Sequence, residues 1–178
     1  MLSKNLQKKM SERQRRMHDV LLFLVRFFLL SVVLHFLIWL NLDMSRIQMI
    51  IADSIYFILT IFKISIPKAG NIFMLSDSSG KILAEITRDC VAWKSILAYI
   101  CLIFATEVKI KSTQKKISAM IAGSAIIFFA NIVRLATTFA VVQAYGIKYF
   151  DVVHNVLWQG GMVILIIVLW DLMRRKCL

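Results

Sequence analysis

The sequence predicts an all-α polytopic membrane protein, with about five apolar helices and a short external β-hairpin before the third. Hydrophobic residues make up 60% of the 178 residues, and the mean hydropathy is +0.76. The chain contains a single proline, Pro67. A soluble domain of this size could not bury so many apolar residues, so the composition indicates a membrane protein. At this length we expect one membrane domain over residues 1–178.

Basic residues give the chain a net charge of +12 and fall largely in three clusters. Thirteen of the 22 lysines and arginines lie within residues 4–16, 109–116 and 174–176. Clusters beside apolar segments mark the cytoplasmic side of a membrane protein and can contact anionic lipid. We expect no nucleic-acid partner, because the chain lacks a basic face interleaved with aromatic residues.

The first apolar run, residues 20–40, predicts a spanning helix that follows a cytoplasmic basic segment, residues 1–18. About 20 helical residues at about 1.5 Å each cover a hydrocarbon core about 30 Å thick. A signal peptide is disfavoured, because the run is long and no small-x-small cleavage site follows it. Residues 47–66 are the least apolar run. We interpret them as a tilted, re-entrant or outer-surface helix, with a full span as the alternative.

Residues 67–89 form the only long polar stretch and are predicted to be an external loop. The residues at 77–80 (DSSG) are typical of a turn. They separate two runs rich in Ile, Phe, Leu and Thr, residues 71–75 and 81–87, which predicts a two-stranded hairpin. We expect this hairpin to position the residue that follows it, Cys90, and to shield it from bulk water.

The last three predicted helices, over residues 90–106, 117–144 and 152–170, fix an orientation. If the basic clusters at 109–116 and 174–176 are cytoplasmic, the helix from 117 runs outward and its two neighbours begin on the outside. Three reactive residues then lie at similar depth in the outer half of the membrane: Cys90, Arg134 and His154. We therefore expect a multi-pass protein of the cell membrane whose site, in residues 90–173, faces outward.

A thiol, a guanidinium and an imidazole form a minimal set for cysteine acyl transfer. Cys90 would be the nucleophile, and His154 would favour its thiolate and then protonate a leaving amine. Arg134 stays protonated, so it would stabilise an oxyanion or clamp a carboxylate or phosphate. Asp151 would orient His154, and Asn131 would orient Arg134. We expect no cofactor and no metal, since one cysteine and one histidine leave a tetrahedral zinc set short.

Each of these residues also has a structural interpretation. A buried cysteine is usually an inert small hydrophobe, and Arg134 could pair with Asp53 to hold helices together. The alternative function is a non-catalytic membrane transporter or assembly subunit in which Arg134 binds an anionic group.

Three stretches resemble the exosortase/archaeosortase family of membrane cysteine transpeptidases: residues 89–95 (DCVAWKS), 131–134 (NIVR) and 150–154 (FDVVH). In that pattern a cysteine opens a helix at the outer surface, an arginine lies in an N-x-x-R helix, and a histidine or arginine opens the next helix. The resemblance covers residues 67–173. It departs at Val91-Ala92, where the family usually has Thr-Gly or Ser-Gly.

The resemblance implies a function and its partners. Cys90 would be the nucleophile, with Arg134 and His154 completing the catalytic set. The substrates would be exported proteins with a C-terminal sorting signal, consisting of a short motif, a transmembrane helix and basic residues. The acceptor of the new C-terminus would be an amine, with a membrane lipid as the expected source.

Overall fold

The computed structural model describes residues 12–40, 43–77, 80–105, 113–155 and 160–177. The chain is mostly helical and carries a small three-stranded antiparallel sheet. Its elements follow in chain order as α1 (Glu12–Trp39), α2 (Ser45–Ile61), β1 (Lys68–Ala69), β2 (Ile72–Asp77), β3 (Gly80–Glu85), a 3₁₀ turn (Arg88–Val91), α3 (Trp93–Ala105), α4 (Thr113–Tyr145), a second 3₁₀ turn (Ile147–Tyr149), α5 (Phe150–Asn155) and α6 (Met162–Cys177).

The predicted helices have counterparts, but several of the predicted bounds are wrong. The helix expected from residue 90 begins only at Trp93, because the residues before it form a 3₁₀ turn. The helix expected over 117–144 is longer at both ends, as α4. The final helix is represented by α5 and α6. Residues 156–159 between them lie outside the described part of the chain, as does most of the basic segment 1–18.

Helix α2 ends five residues before the predicted boundary. Lys63 adopts a left-handed conformation (φ 57°). The amide of Ile64 donates to the carbonyl of Leu59 (2.9 Å), and that of Lys63 donates to the carbonyl of Thr60 (3.0 Å). This is a Schellman ending, which usually has glycine at the left-handed position. The absence of glycine from residues 58–66 explains why the sequence pattern placed the end of α2 too late.

Large apolar side chains cover much of the outer surface of the helices. Phe28, Leu29, Phe57 and Phe129 are all more than half exposed. Among the described residues, the helix long and apolar enough to cross a membrane is Gln114–Tyr145 of α4, in which an 18-residue stretch has a mean hydropathy of 2.0. Such a surface fits an apolar solvent. The number of spans and the placement of α2 relative to a bilayer stay predictions.

The predicted hairpin is confirmed. Strands β2 and β3 pair antiparallel, in a register that sets Ile72 opposite Glu85 and Asp77 opposite Gly80. A third strand, β1, pairs with β2 and was not predicted. It is two residues long, so it carries no alternation from which it could be recognised.

One face of the sheet packs on α4. Phe73 and Leu75 are fully buried, whereas Met74 between them is exposed, as the two-residue period of a strand requires. The Phe73 ring lies 4.8 Å from the Phe139 ring, measured between centroids. On the neighbouring side, Lys68 of β1 forms an ion pair with Asp53 of α2. The sheet is therefore attached to both α2 and α4.

Two apolar cores meet at the 3₁₀ turn that contains Cys90. Val91 packs in the first core, which is formed by α2, the sheet, the start of α3 and residues 132–142 of α4. Ala92 packs in the second, which is formed by α3, α4 and α6. Because consecutive side chains are buried in different cores, the backbone at Cys90 is fixed from both sides.

Helix α3 lies very close to α4 at one point. The Tyr99 hydroxyl donates to the carbonyl of Ala119 (3.1 Å), and its ring lies directly against Gly123, where a Cβ atom would overlap the ring. Glycine is needed here for this close approach rather than for its backbone freedom. Helix α3 follows directly after the turn at Cys90. The contact between Tyr99 and Gly123 therefore also fixes where that turn lies along the axis of α4.

We predict that Gly123→Ala will destabilise the fold by about 1–3 kcal/mol, the usual cost of overpacking a filled site. Thermal unfolding in detergent should show a lowered midpoint. Gly161→Ala is the matched control, because no atom of the residues that the structure describes lies within 4 Å of a Cβ atom added at that position. Equal midpoints for the two variants would contradict the packing described for Tyr99.

Candidate active site

Cys90 lies in the 3₁₀ turn that joins the hairpin to α3, and not in the α-helix where it was predicted. Its amide donates to the carbonyl of Thr87 at 3.0 Å. The side chain is half-buried and the thiol is free. Cys90 thus belongs to a short connection between two packed elements.

The departure from the family pattern at residues 91 and 92 now has a structural meaning. Ala92 adopts a left-handed conformation, with φ 62° and ψ 6°. Glycine takes this conformation readily, whereas a residue with a Cβ atom loses about 1–2 kcal/mol in it. Ala92 is nevertheless buried in the second core, so its methyl group recovers part of that cost through packing.

Asn131 connects Cys90 to Arg134. Its Nδ2 donates to the backbone carbonyl of Cys90 at 2.6 Å, and its Oδ1 accepts from Arg134 Nη2 at 3.1 Å. The orientation of the amide follows from chemistry, because a carbonyl only accepts and a guanidinium only donates. Asn131 is completely buried. The role predicted for Asn131, to orient Arg134, stays a prediction, and its bond to Cys90 was not anticipated.

Arg134 brings a cation into the same buried region. Its side chain is 6% exposed, and it is close enough to Cys90 for the two groups to interact electrostatically. The Arg134 carbonyl also accepts from the Thr138 hydroxyl (2.9 Å) one turn later. The alternative in which Arg134 pairs with Asp53 is not what the structure shows, because Asp53 forms its ion pair with Lys68.

Further charges lie around the turn itself. Lys94 forms an ion pair with Asp89 at 2.8 Å, and the Arg88 guanidinium lies 5.7 Å from the centre of the Trp93 ring. These groups are partly exposed, so their contribution to stability is small. Charges of both signs therefore lie around the turn that contains Cys90, whereas the buried charge in this region is the positive charge of Arg134.

His154 and Asp151 belong to α5, which packs against α4. Their side chains lie outside the described part of the structure. Their predicted roles, with His154 as proton donor and Asp151 as its orienting partner, therefore stay predictions.

One polar neighbour of the thiol was missed by the sequence reasoning. The Thr87 hydroxyl oxygen lies 3.6 Å from Cys90 Sγ, which is within hydrogen-bonding distance for sulfur. A threonine three residues before the cysteine was the available signal. It was overlooked because the hairpin was expected to continue through residue 87.

The family model described as Transmembrane exosortase (Exosortase_EpsH) matches residues 13–173. The chain belongs to this transmembrane exosortase family. No curated protein and no solved structure shows significant similarity to it. The matched range includes Cys90, Asn131, Arg134 and residue 154.

Membership in the exosortase family confirms the resemblance found in the sequence. It implies a location in the membrane, and it suggests in general a membrane transpeptidase of the cysteine type. The structure adds that two of the predicted site residues, Asn131 and Arg134, are hydrogen-bonded to each other, and that Asn131 is bonded to the backbone of a third, Cys90.

We predict that Asn131→Asp will destabilise the fold by about 1–3 kcal/mol, even though the two side chains have the same size. The carboxylate cannot donate to the Cys90 carbonyl, so a buried acceptor loses its partner and faces a negative charge. Thermal unfolding in detergent measures the loss. Thr137→Val, on the exposed face of the same helix, is the control and should change stability by less than about 0.5 kcal/mol. An unchanged unfolding midpoint for Asn131→Asp would show that the bridge contributes nothing.

Proposed function

We propose that this chain is a membrane cysteine protease and transpeptidase. It cleaves a C-terminal sorting signal from exported proteins and transfers the new C-terminus to an amine acceptor carried by a lipid. The observation that carries the proposal is the hydrogen-bonded chain from Cys90 through Asn131 to Arg134. Family membership supports the class of reaction, and the sorting signal and acceptor are those that the family resemblance implies.

The reaction begins at the Cys90 sulfur. The thiolate attacks the carbonyl carbon of the peptide bond to be cut, and the carbonyl oxygen becomes negatively charged. Arg134 stabilises that charge, because a fixed cation in a site that excludes water acts more strongly than it would in water. The backbone carbonyl of Cys90 already accepts a hydrogen bond from Asn131, so it does not compete for Arg134.

Collapse of this intermediate breaks the carbon–nitrogen bond. His154 donates a proton to the departing amine, and the acyl group remains on Cys90 as a thioester. An amine on the acceptor lipid then attacks the thioester, forms an amide and releases the Cys90 thiol. Water in place of the amine gives simple hydrolysis. The site faces the outer side of the membrane in this proposal, in keeping with the positions of the basic clusters.

Removal of the nucleophile gives the first test. Cys90→Ala and Cys90→Ser should abolish processing of a co-expressed reporter that ends in a sorting signal, and His154→Ala should also reduce it severely. Cys101→Ala is the matched control, because Cys101 is likewise free and half-buried but lies in the middle of α3. Reporter cleavage is followed by its change in size. Substantial cleavage by the Cys90→Ala protein would exclude cysteine catalysis and favour a non-catalytic membrane subunit.

A second test concerns Arg134. Arg134→Lys keeps the charge but loses the planar arrangement of donors, so turnover should fall by about two orders of magnitude. Cleavage is measured per folded molecule, so that a loss of protein is not counted as a loss of catalysis. Arg174→Lys, in an exposed ion pair near the end of α6, is the control and should be near normal. Near-normal turnover of both Arg134→Lys and Arg134→Ala would remove Arg134 from the mechanism.

A further inference from the structure

Thr87 occupies the capping position of a 3₁₀ turn, but its side chain does not cap that turn. Thr87 immediately precedes the 3₁₀ turn, with extended backbone angles (φ −79°, ψ 170°), and its hydroxyl makes no capping bond to the turn. Threonine at such a position commonly accepts a hydrogen bond from a following amide. Here the Thr87 hydroxyl lies 3.6 Å from Cys90 Sγ instead.

Hydrogen bonds on both sides of Thr87 hold its backbone in place. The amide of Ile86 donates to the carbonyl of Asn71 (2.9 Å), and the carbonyl of Ile86 accepts from Asn71 Nδ2 (3.3 Å). The Ile86 side chain is fully buried. After Thr87, its own carbonyl accepts from the Cys90 amide (3.0 Å). The hairpin therefore fixes the backbone of Thr87, and the turn fixes the backbone of Cys90 relative to it.

We propose that the Thr87 hydroxyl donates a hydrogen bond to the ionised sulfur of Cys90 and thereby activates the nucleophile. This inference rests on the proposed function, in which Cys90 attacks the substrate. When the sulfur carries its proton, either group can be the donor. When the proton has left, only the hydroxyl can donate, and a hydrogen bond to a charged acceptor is stronger than one between neutral groups. The contact therefore favours the thiolate over the thiol.

The contribution of Thr87 is distinct from that of the buried groups. Asn131 bonds to the backbone carbonyl of Cys90 and does not bond to its sulfur. Arg134 acts through its charge from a buried position. Thr87 is exposed, and its hydroxyl contacts the sulfur of Cys90 directly. The exosortase site would then activate its thiol with a buried cation and an exposed hydroxyl.

Two opposite substitutions at this position test the inference. Thr87→Val keeps the shape and removes the hydroxyl, whereas Thr87→Ser keeps the hydroxyl and removes the methyl group. Both are made in a Cys101→Ala, Cys177→Ala background, and the rate of Cys90 alkylation by N-ethylmaleimide at neutral pH is measured without substrate. Reporter cleavage per folded molecule is measured in parallel.

We expect Thr87→Val to slow both alkylation and cleavage by about four- to twelvefold. The hydrogen bond to the charged sulfur is lost, and the lower intrinsic nucleophilicity of a stabilised thiolate offsets about half, on a logarithmic scale, of the gain in thiolate population. Thr87→Ser should stay within about twofold of the parent on the same grounds. Parent-like rates for Thr87→Val, or a loss in Thr87→Ser equal to that in Thr87→Val, would overturn the inference.

The outcome is separable from the proposed function. If Cys90→Ala is inactive while Thr87→Val is normal, cysteine catalysis stands and only the role of Thr87 is rejected. If Cys90→Ala still cleaves the reporter, the proposed function itself fails, whatever the alkylation rates show.

Discussion

The side-chain amide of Asn131 is the constraint on which the geometry of the site depends. Asn131 lies on α4. Its amide group donates to the carbonyl of Cys90 in the 3₁₀ turn and accepts from the guanidinium of Arg134 on its own helix. Asn131 and Arg134 are both buried, where an unpaired polar group costs more free energy than it does in water. An amide suits this place because it donates and accepts at once and carries no charge. A carboxylate would neutralise Arg134 and so weaken the positive charge available to a substrate.

The packing around this bridge explains how a short turn can hold a reactive group. The sheet is attached to α4 through the rings of Phe73 and Phe139, and α3 is attached to the same helix through Tyr99 and Gly123. Helix α4 is therefore the common support. It carries Asn131 and Arg134 on its buried face, and the elements before and after Cys90 both rest on it. The distance between thiol and guanidinium is thus set by two separate contacts with one helix.

Much of this arrangement could be predicted from the sequence, and the rest could not for identifiable reasons. Long apolar runs predicted the helices, and the DSSG turn predicted the hairpin, because both signals extend over many residues. The bond from Asn131 to Cys90 joins residues 41 positions apart, and no local pattern encodes such a contact. The end of α2 was misplaced since Lys63 occupies a conformation usually taken by glycine. Cys90 was predicted to begin an α-helix, but it lies in the 3₁₀ turn before that helix. The left-handed conformation of Ala92 separates the turn from the helix, and the sequence gives no local signal for it.

The burial of Val91 and Ala92 in separate cores has a mechanical consequence for a protein of this kind. Helix α4 contributes to both cores, and Trp93 at the start of α3 packs in the first of them, directly after the turn. The two residues that follow Cys90 are therefore held by separate packing, so that a substitution that loosens one core leaves the turn anchored by the other.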